Sequence, residues 1–166
     1  MRTYLRPALG GALLIAVAFL TGCSGQSTSG TTAPPPKTAE SVTKALGAKV
    51  STMQFTKTFT ADDAPNHLLG RPNGYLSKTA FADSRVPADQ VPEAETATER
   101  GGGVEVFSDE AAAKARMDDI QAKLKSLGGL MAQEYDYVKG GVLVRVSGLL
   151  TPEQAKEYES ALAAIG

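Results

Sequence analysis

Any chemistry in this 166-residue chain has to start from very few residues. Cys23 is the only cysteine and His67 the only histidine. A catalytic triad needs a nucleophile, a base and a residue that orients the base, and this single histidine would have to serve as the base in every such arrangement. No Gly-x-Ser-x-Gly segment occurs. Carboxylates such as Glu93 and Glu95 lie in a polar stretch that is predicted to be exposed. Without burial, their pKa values are not expected to rise toward the range that acid–base catalysis needs. The sequence predicts that the protein is not an enzyme, with a hydrolase or metal-dependent enzyme as an alternative.

Metal binding would have to centre on His67. Side chains that could share a metal ion with it lie just before it: Asp62, Asp63 and Asn66. Their spacing matches no standard metal motif, and a solvated turn explains the same residue types. We therefore expect no metal and no cofactor.

The most distinctive polar set belongs to a turn-rich segment, residues 70–74. Arg71, Asn73 and Tyr75 lie close together there, and arginine and tyrosine are favoured at recognition surfaces. These three residues are the candidate recognition site. The alternative is that Arg71 pairs with a carboxylate and Tyr75 packs into the core.

Cys23 lies directly behind an apolar segment, residues 8–20, that follows Arg2 and Arg6. A helix over that segment would reach only about 20 Å, whereas the hydrocarbon core of a bilayer is about 30 Å thick. A charged head, a short apolar stretch and small residues at its end are typical of a secretory signal peptide rather than of a spanning helix.

The run Leu20-Thr21-Gly22-Cys23 resembles the lipobox of bacterial lipoproteins. The resemblance implies cleavage between Gly22 and Cys23 and a diacylglyceryl group on the Cys23 thiol. That group would anchor the protein to the cell membrane on its extracytoplasmic face. The alternative is an ordinary signal peptide followed by a free cysteine, although an exported free thiol is a liability.

Composition divides the chain into a signal peptide over residues 1–22, the lipidated cysteine and a flexible tether over 23–37, and one domain over 38–166. The tether is small, polar and proline-ended, so it would hold the domain off the bilayer. Of the 17 basic residues, Arg2 and Arg6 lie in the signal peptide, which leaves 15 against 18 acidic residues. Because no long basic run remains, nucleic acid is not expected as a partner.

Hydrophobic periodicity and turn residues predict an α+β domain in which helices cover one face of a small antiparallel sheet. The predicted order is α-β-(β)-loop-β-α-β-β-α, with residues 104–166 as a β-α-β-β-α core. The predicted elements are a helix over 38–50, strands over 51–60 and 75–82, a loop over 84–103, a strand over 104–107, a helix capped by Ser108 and stopped by Gly128, strands over 134–138 and 142–147, and a helix capped by Thr151.

Side-chain spacing predicts which residues are buried together. Strand residues expected to share a face are Met53, Phe55 and Phe59; then Tyr75, Ser77, Thr79 and Phe81; then Val142, Val144 and Val146, with Leu143 and Arg145 opposite. Helix residues expected to be buried are Ala113, Met117, Ile120, Leu124 and Leu127, followed by Ala155, Tyr158, Leu162 and Ile165. The Gly101-Gly102-Gly103 run lacks the lysine and hydroxyl residue of a phosphate loop, so it is interpreted as a flexible stretch.

Residues 66–158 resemble a set of small exported bacterial lipoproteins. The resemblance rests on four segments: Leu69-Gly70-Arg71-Pro72-Asn73-Gly74-Tyr75, Glu105-Val106-Phe107, Glu134 to Val138, and Leu150 to Gln154. It carries no known activity to this chain. The element order of residues 104–166 is also similar to that of SPOR-type peptidoglycan-binding domains, which bind glycan strands through their sheet, although the usual Gly-x-Phe after the first strand is absent.

The sequence thus predicts a non-enzymatic, membrane-anchored accessory lipoprotein that binds a partner or ligand. The alternative is attachment to the cell wall through a SPOR-like C-terminal sheet. Besides the membrane itself, the sequence identifies no particular partner.

Overall fold

The computed structural model of the chain describes residues 37–128 and 133–166. The predicted signal peptide, Cys23 and the predicted tether up to residue 36 lie outside the described residues. The helices and strands of the described part, in chain order, are α1 (Ala39–Gly47), β1 (Met53–Thr58), β2 (Ser77–Asp83), β3 (Gly101–Val106), α2 (Glu110–Ser126), β4 (Glu134–Lys139), β5 (Val142–Ser147) and α3 (Pro152–Ala163). Two short 3₁₀ helices, Ala88–Gln90 and Thr98–Arg100, lie between β2 and β3.

The strands form one antiparallel sheet in the order β1-β2-β3-β5-β4. The predicted α+β class is confirmed, and the element order matches the predicted one. The long loop is less irregular than expected, because it contains the two 3₁₀ helices and its last residues already belong to β3.

Helices cover both faces of the sheet, so the expectation that they cover only one face is wrong. Val142, Val144 and Val146 of β5 pack with α1 and α3 on what we call the first face. Leu143 points the other way and packs with Ala113 and Ile120 of α2 on the second face. Because a strand alternates its side chains, a central strand with apolar residues at both parities needs cover on both sides.

Capping residues fix where the helices begin. Thr38 and Thr151 each accept a hydrogen bond from the backbone N–H three residues on, and the side chain there, Ser41 or Gln154, completes a capping box. The predicted Ser108 cap of α2 is wrong: the Asp109 carboxylate accepts from the Ala112 N–H at 2.9 Å.

A β-bulge in β1 redistributes the phenylalanines that were expected to share a face with Met53. The pairing register shifts between Phe55 and Lys57, so residues after the shift exchange faces. Met53 packs on the first face and Phe59 on the second, while Phe55 lies at the sheet edge with 54% of its surface exposed. Tyr75 also leaves its predicted companions, because β2 begins only at Ser77.

The buried faces of α2 and α3 agree with the predictions from side-chain spacing better than the strand faces do. Ala155, Tyr158 and Leu162 of α3 are buried on the first face, and Ile165 packs partly against them. On α2, Ala113 and Ile120 are buried, Met117 and Leu124 pack at the margin, and Leu127 is exposed because it follows the last helical residue.

The glycine run is rigid sheet rather than a flexible loop. Gly101, Gly102 and Gly103 are buried in β3 and pair with β2 on one side, and Gly102 and Gly103 pair with β5 on the other. A Cβ added at Gly102 would lie 2.5 Å from the Phe81 ring, and one at Gly103 would lie 2.9 Å from the Thr79 carbonyl oxygen. Glycine is therefore required here by close packing, not by mobility.

Candidate binding site

The metal candidates do not form a site. His67 is exposed in a turn, and Asp63 is used locally: it accepts from the Thr60 N–H at 2.7 Å and pairs with Lys57 at 2.7 Å. Within residues 37–128 and 133–166, no group of three or more histidine, cysteine, aspartate or glutamate side chains is placed to hold a metal ion.

The structure separates the three candidate recognition residues. Arg71 and Asn73 lie exposed on the turn, and Asn73 has a positive φ of 62° that this tight turn requires. Tyr75 is completely buried and packs edge-on against Phe107, with ring centroids 6.2 Å apart. Only the exposed pair is available to a partner, while Tyr75 belongs to the core.

A cluster of buried charges on the second face, which no candidate set included, is the most unusual feature of the described residues. We call it the charge cluster: Lys78, Glu105, Arg116, Glu134 and Arg145. The Glu105 side chain has no exposed surface. Such groups are almost never buried in a protein unless they are paired.

The contacts of the cluster centre on Glu105. Its carboxylate accepts from Lys78 Nζ at 2.8 Å, from Arg116 Nε at 3.2 Å and, at the limit of a hydrogen bond, from Arg145 at 3.5 Å. Arg145 in turn donates two hydrogen bonds to the Glu134 carboxylate, at 2.6 and 2.8 Å. This two-pronged contact is the strongest geometry available to an arginine and a carboxylate.

Strand register explains how distant residues meet in the cluster. Lys78 of β2 lies directly opposite Glu105 of β3, so both side chains point to the second face. In the next row, Ala80, Gly103, Arg145 and Asp136 are successive cross-strand partners from β2 to β4. Arg116 reaches the cluster from α2, because that helix packs over β4 and β5.

The three cations decide the ionisation of Glu105. Burial by itself would raise the pKa of this carboxyl, but the positive charges of Lys78, Arg145 and Arg116 outweigh it and hold the pKa below 4.5. Burial lowers the pKa of Lys78, and its pairing with Glu105 opposes that effect. At 2.8 Å we regard the two as an ion pair.

Asp136 lies beside the cluster but is poorly compensated. Burial raises the pKa of its carboxyl to about 6, although one oxygen accepts a 2.6 Å hydrogen bond from Gln121. Its other oxygen is buried and has no hydrogen-bond partner among the described residues. This carboxyl therefore weakens the fold when it is ionised.

A cavity of about 260 Å³ opens beside the cluster, and we call it the sheet pocket. Lys78, Glu105 and Arg145 line it, and Ala80 and Gly103 form its floor. The floor is hollow because the row that contains Arg145 has only a methyl group and a hydrogen at these two positions. The segment that precedes β3 contributes four further lining residues: Ala94, Thr96, Ala97 and Thr98.

A second buried carboxylate, Asp83, also borders a cavity, of about 230 Å³, but its oxygens are already engaged. It accepts hydrogen bonds from Thr52, Tyr158 and three N–H groups of Arg85, at 2.7–3.1 Å. These contacts occupy both of its oxygens, so Asp83 serves the packing of β2 against α3. The sheet pocket differs because its cations retain hydrogen-bonding capacity.

The sequence contains a weak signal for the charge cluster. Glu105 interrupts the valine-rich start of a strand, and Arg145 lies at the parity of Leu143, which the alternation assigned to a face of its own. A charged residue at an inward position predicts a buried partner. Its identity depends on strand register, which the sequence alone does not fix.

Comparison of the chain with protein-family models, with curated proteins and with solved structures finds no match. Within the described residues, no helix is both long enough and apolar enough to cross a membrane. The function is therefore argued from the site itself.

Proposed function

We propose that the protein is a lipid-anchored binding module on the extracytoplasmic face of the cell membrane, and that the sheet pocket is its binding site. The proposal for the anchor rests on the lipobox-like run that ends at Cys23. The proposal for the site rests on the pocket and its charges. The proposal includes no enzymatic step.

The single observation that carries the binding proposal is an ion cluster that borders an open cavity. Buried ion pairs add little stability, and well-packed apolar residues in their place are often as stable or more stable. A purely structural role therefore gives Lys78, Glu105 and Arg145 no clear advantage. Binding does, because charged groups held by one another are already oriented for a ligand.

The covering of the sheet gives the cell-wall alternative no support. The three central strands, β2, β3 and β5, are buried along most of their length, under α1 and α3 on the first face and under α2 and two connecting segments on the second. A glycan strand that binds an open sheet has no such surface in the described residues. A peptidoglycan pull-down with the full-length chain tests this alternative directly.

Filling the pocket tests the binding proposal. Ala97 lines the pocket from a connecting segment, so Ala97→Leu fills part of the cavity without changing a charge. The matched control is Ala163→Leu on the exposed side of α3. Full-length wild-type protein and both variants, purified in mild detergent, are screened against small molecules by thermal unfolding.

We expect at least one compound that raises the Tm of the wild type and of Ala163→Leu but not that of Ala97→Leu. The proposal fails if no compound stabilises the wild type, or if every stabilising compound acts equally on Ala97→Leu. In that case the charge cluster is a structural feature only.

A further inference from the structure

The unused donors of the sheet pocket narrow the class of its ligand. An arginine has five N–H donors and a lysine three. Of those on Arg145, two go to Glu134 and one makes the long contact to Glu105. Lys78 gives one to Glu105 and otherwise lies over the aromatic rings of Phe59 and Tyr75, 5.5 and 5.2 Å from their centres. Among the described residues, the remaining donors have no acceptor.

The charged side chains that line the pocket are mostly positive. Two cations, Lys78 and Arg145, and one carboxylate, Glu105, line the cavity. Arg116 and Glu134, which complete the charge cluster, do not line it and offset one another. The lining itself therefore has an excess of one positive charge, although Asp136, which does not line the pocket, lies beside Arg145. The residues after the predicted signal peptide have 15 basic against 18 acidic side chains. A ligand with a single negative charge would balance the excess positive charge of the lining.

The rest of the lining is small and partly apolar. Pro65, Ala80, Ala94 and Ala97 contribute hydrocarbon surface, and Thr96 and Thr98 contribute polar groups. The volume of about 260 Å³ lies just below the range usual for ligand pockets. It suits a compact molecule with a short apolar part better than a sugar chain or a peptide.

We propose that the sheet pocket binds a small monocarboxylate. Its carboxylate accepts hydrogen bonds from the unused N–H groups of Arg145 and Lys78, and its short apolar part lies against Ala80 and Ala97. This inference rests on the proposed function and names its ligand class. Carboxylate is favoured over phosphate for two reasons. The same two cations already bind the planar carboxylates of Glu105 and Glu134, and a doubly charged phosphate would exceed the positive charge available.

The test is a titration of the full-length protein in detergent with three probes: propionate, the neutral propionamide and inorganic phosphate. Calorimetry measures affinity, and the backbone amide NMR signals of Gly102 and Gly103 locate the site, because both residues line the pocket. We expect saturable binding of propionate, and affinities for propionamide and phosphate that are lower by about tenfold or more.

Arg145→Gln is the informative variant, and Lys44→Gln is its control. Lys44 is an exposed cation on α1, which packs on the first face of the sheet, and it does not line the pocket. We expect Arg145→Gln to weaken propionate binding by about tenfold and Lys44→Gln by less than about twofold. Where Arg145→Gln fails to fold, Arg145→Lys decides: it keeps the charge beside Glu134 but loses the planar fork, so binding of propionate should still fall.

Specific outcomes overturn the carboxylate assignment. They are equal binding of propionate and propionamide, tighter binding of phosphate, unchanged affinity in folded Arg145 variants, or spectral changes at Arg71 rather than at Gly102 and Gly103. The assignment and the proposed function fail in different ways. A neutral molecule excluded by Ala97→Leu would keep the pocket and refute the carboxylate, whereas no molecule excluded by Ala97→Leu would refute both.

Discussion

Glu105 has no exposed side-chain surface, yet it is ionised because Lys78, Arg116 and Arg145 surround it. Asp136, in the neighbouring row of the same face, has one hydrogen bond and one oxygen without a partner. The difference between these two carboxyls shows how residue environment controls charge on this face. Where cations are near, the pKa falls, and where burial is uncompensated, it rises.

Replacement of Asp136 by asparagine should stabilise the protein at neutral pH. Burial raises the pKa of the Asp136 carboxyl from 3.8 in the unfolded chain to about 6 in the fold. Between these values the folded protein binds a proton that the unfolded chain does not, so stability falls as the pH rises through this window and stays lower above it. Asp136→Asn removes the ionisation, and we expect a gain of about 1–3 kcal/mol at pH 7.

Urea unfolding followed by circular dichroism, at a series of pH values from 4 to 7, measures this effect. The control is Asp118→Asn, which makes the same substitution at an exposed position on α2. Between about pH 4 and 6, the unfolding free energy of the wild type and of the control should fall as the pH rises. Asp136→Asn should lack this part of the fall. Equal pH profiles of the unfolding free energy for all three proteins would show that ionisation of Asp136 does not destabilise the fold.

At the scale of elements, β3 is the strand on which the site depends. Its three glycines let β2 and β5 approach closely, and Gly103 leaves the floor of the sheet pocket open. Its two valines, Val104 and Val106, pack on the first face, while Glu105 points to the second. One strand thus combines close backbone packing, core residues and the centre of the charge cluster.

Gly102→Ala should destabilise the sheet strongly. The new Cβ would meet the Phe81 ring at 2.5 Å and the backbone carbonyl of Arg145, and neither can move far inside a paired sheet. We expect a loss of about 2–3 kcal/mol in unfolding free energy. Gly47→Ala is the control, because no atom lies within 4 Å of its added Cβ at the end of α1, and its stability should change by less than about 1 kcal/mol.

Thermal and urea unfolding of both glycine variants provide the measurement. A flexible glycine run would tolerate Gly102→Ala as well as α1 tolerates Gly47→Ala. That result would contradict the assignment of Gly101–Gly103 to a rigid central strand.

At the scale of the whole molecule, a lipidated Cys23 would keep the binding domain at the membrane. Two acyl chains hold firmly because each buried methylene contributes about 0.8 kcal/mol. We expect mass spectrometry of protein extracted from membranes to show a mature N-terminus at Cys23 that carries a diacylglyceryl group. Cys23→Ser should leave an unmodified precursor or move the protein out of the diacyl-anchored fraction.

Ser24→Ala is the control for the anchor experiment, since it changes the neighbouring residue and keeps the thiol. A mature chain that begins elsewhere, or that retains a free Cys23 thiol, would refute the lipid anchor. The sheet pocket would not be affected by that result, because its residues all belong to the described domain.

Much of the fold could be predicted because it depends on local signals. Thr151 with Gln154 begins α3 in a capping box, and the glycine-containing turn near Gly140 joins β4 to β5. Such signals act over a few residues, so the sequence shows them directly. The predictions that failed depend on contacts between elements: α2 on the second face, the bulge after Phe55, and the place of Tyr75 outside β2.

The sequence by itself determined the helices, most of the strands, the α+β class and the order of the elements, because hydrophobic period and capping chemistry are local. It also supports the prediction of a lipid anchor at Cys23. Only the tertiary structure decided that Lys78, Glu105 and Arg145 meet beside the sheet pocket, whose floor is Ala80 and Gly103. Long-range strand register brings them together, since a shift of one residue would turn these side chains to the opposite face.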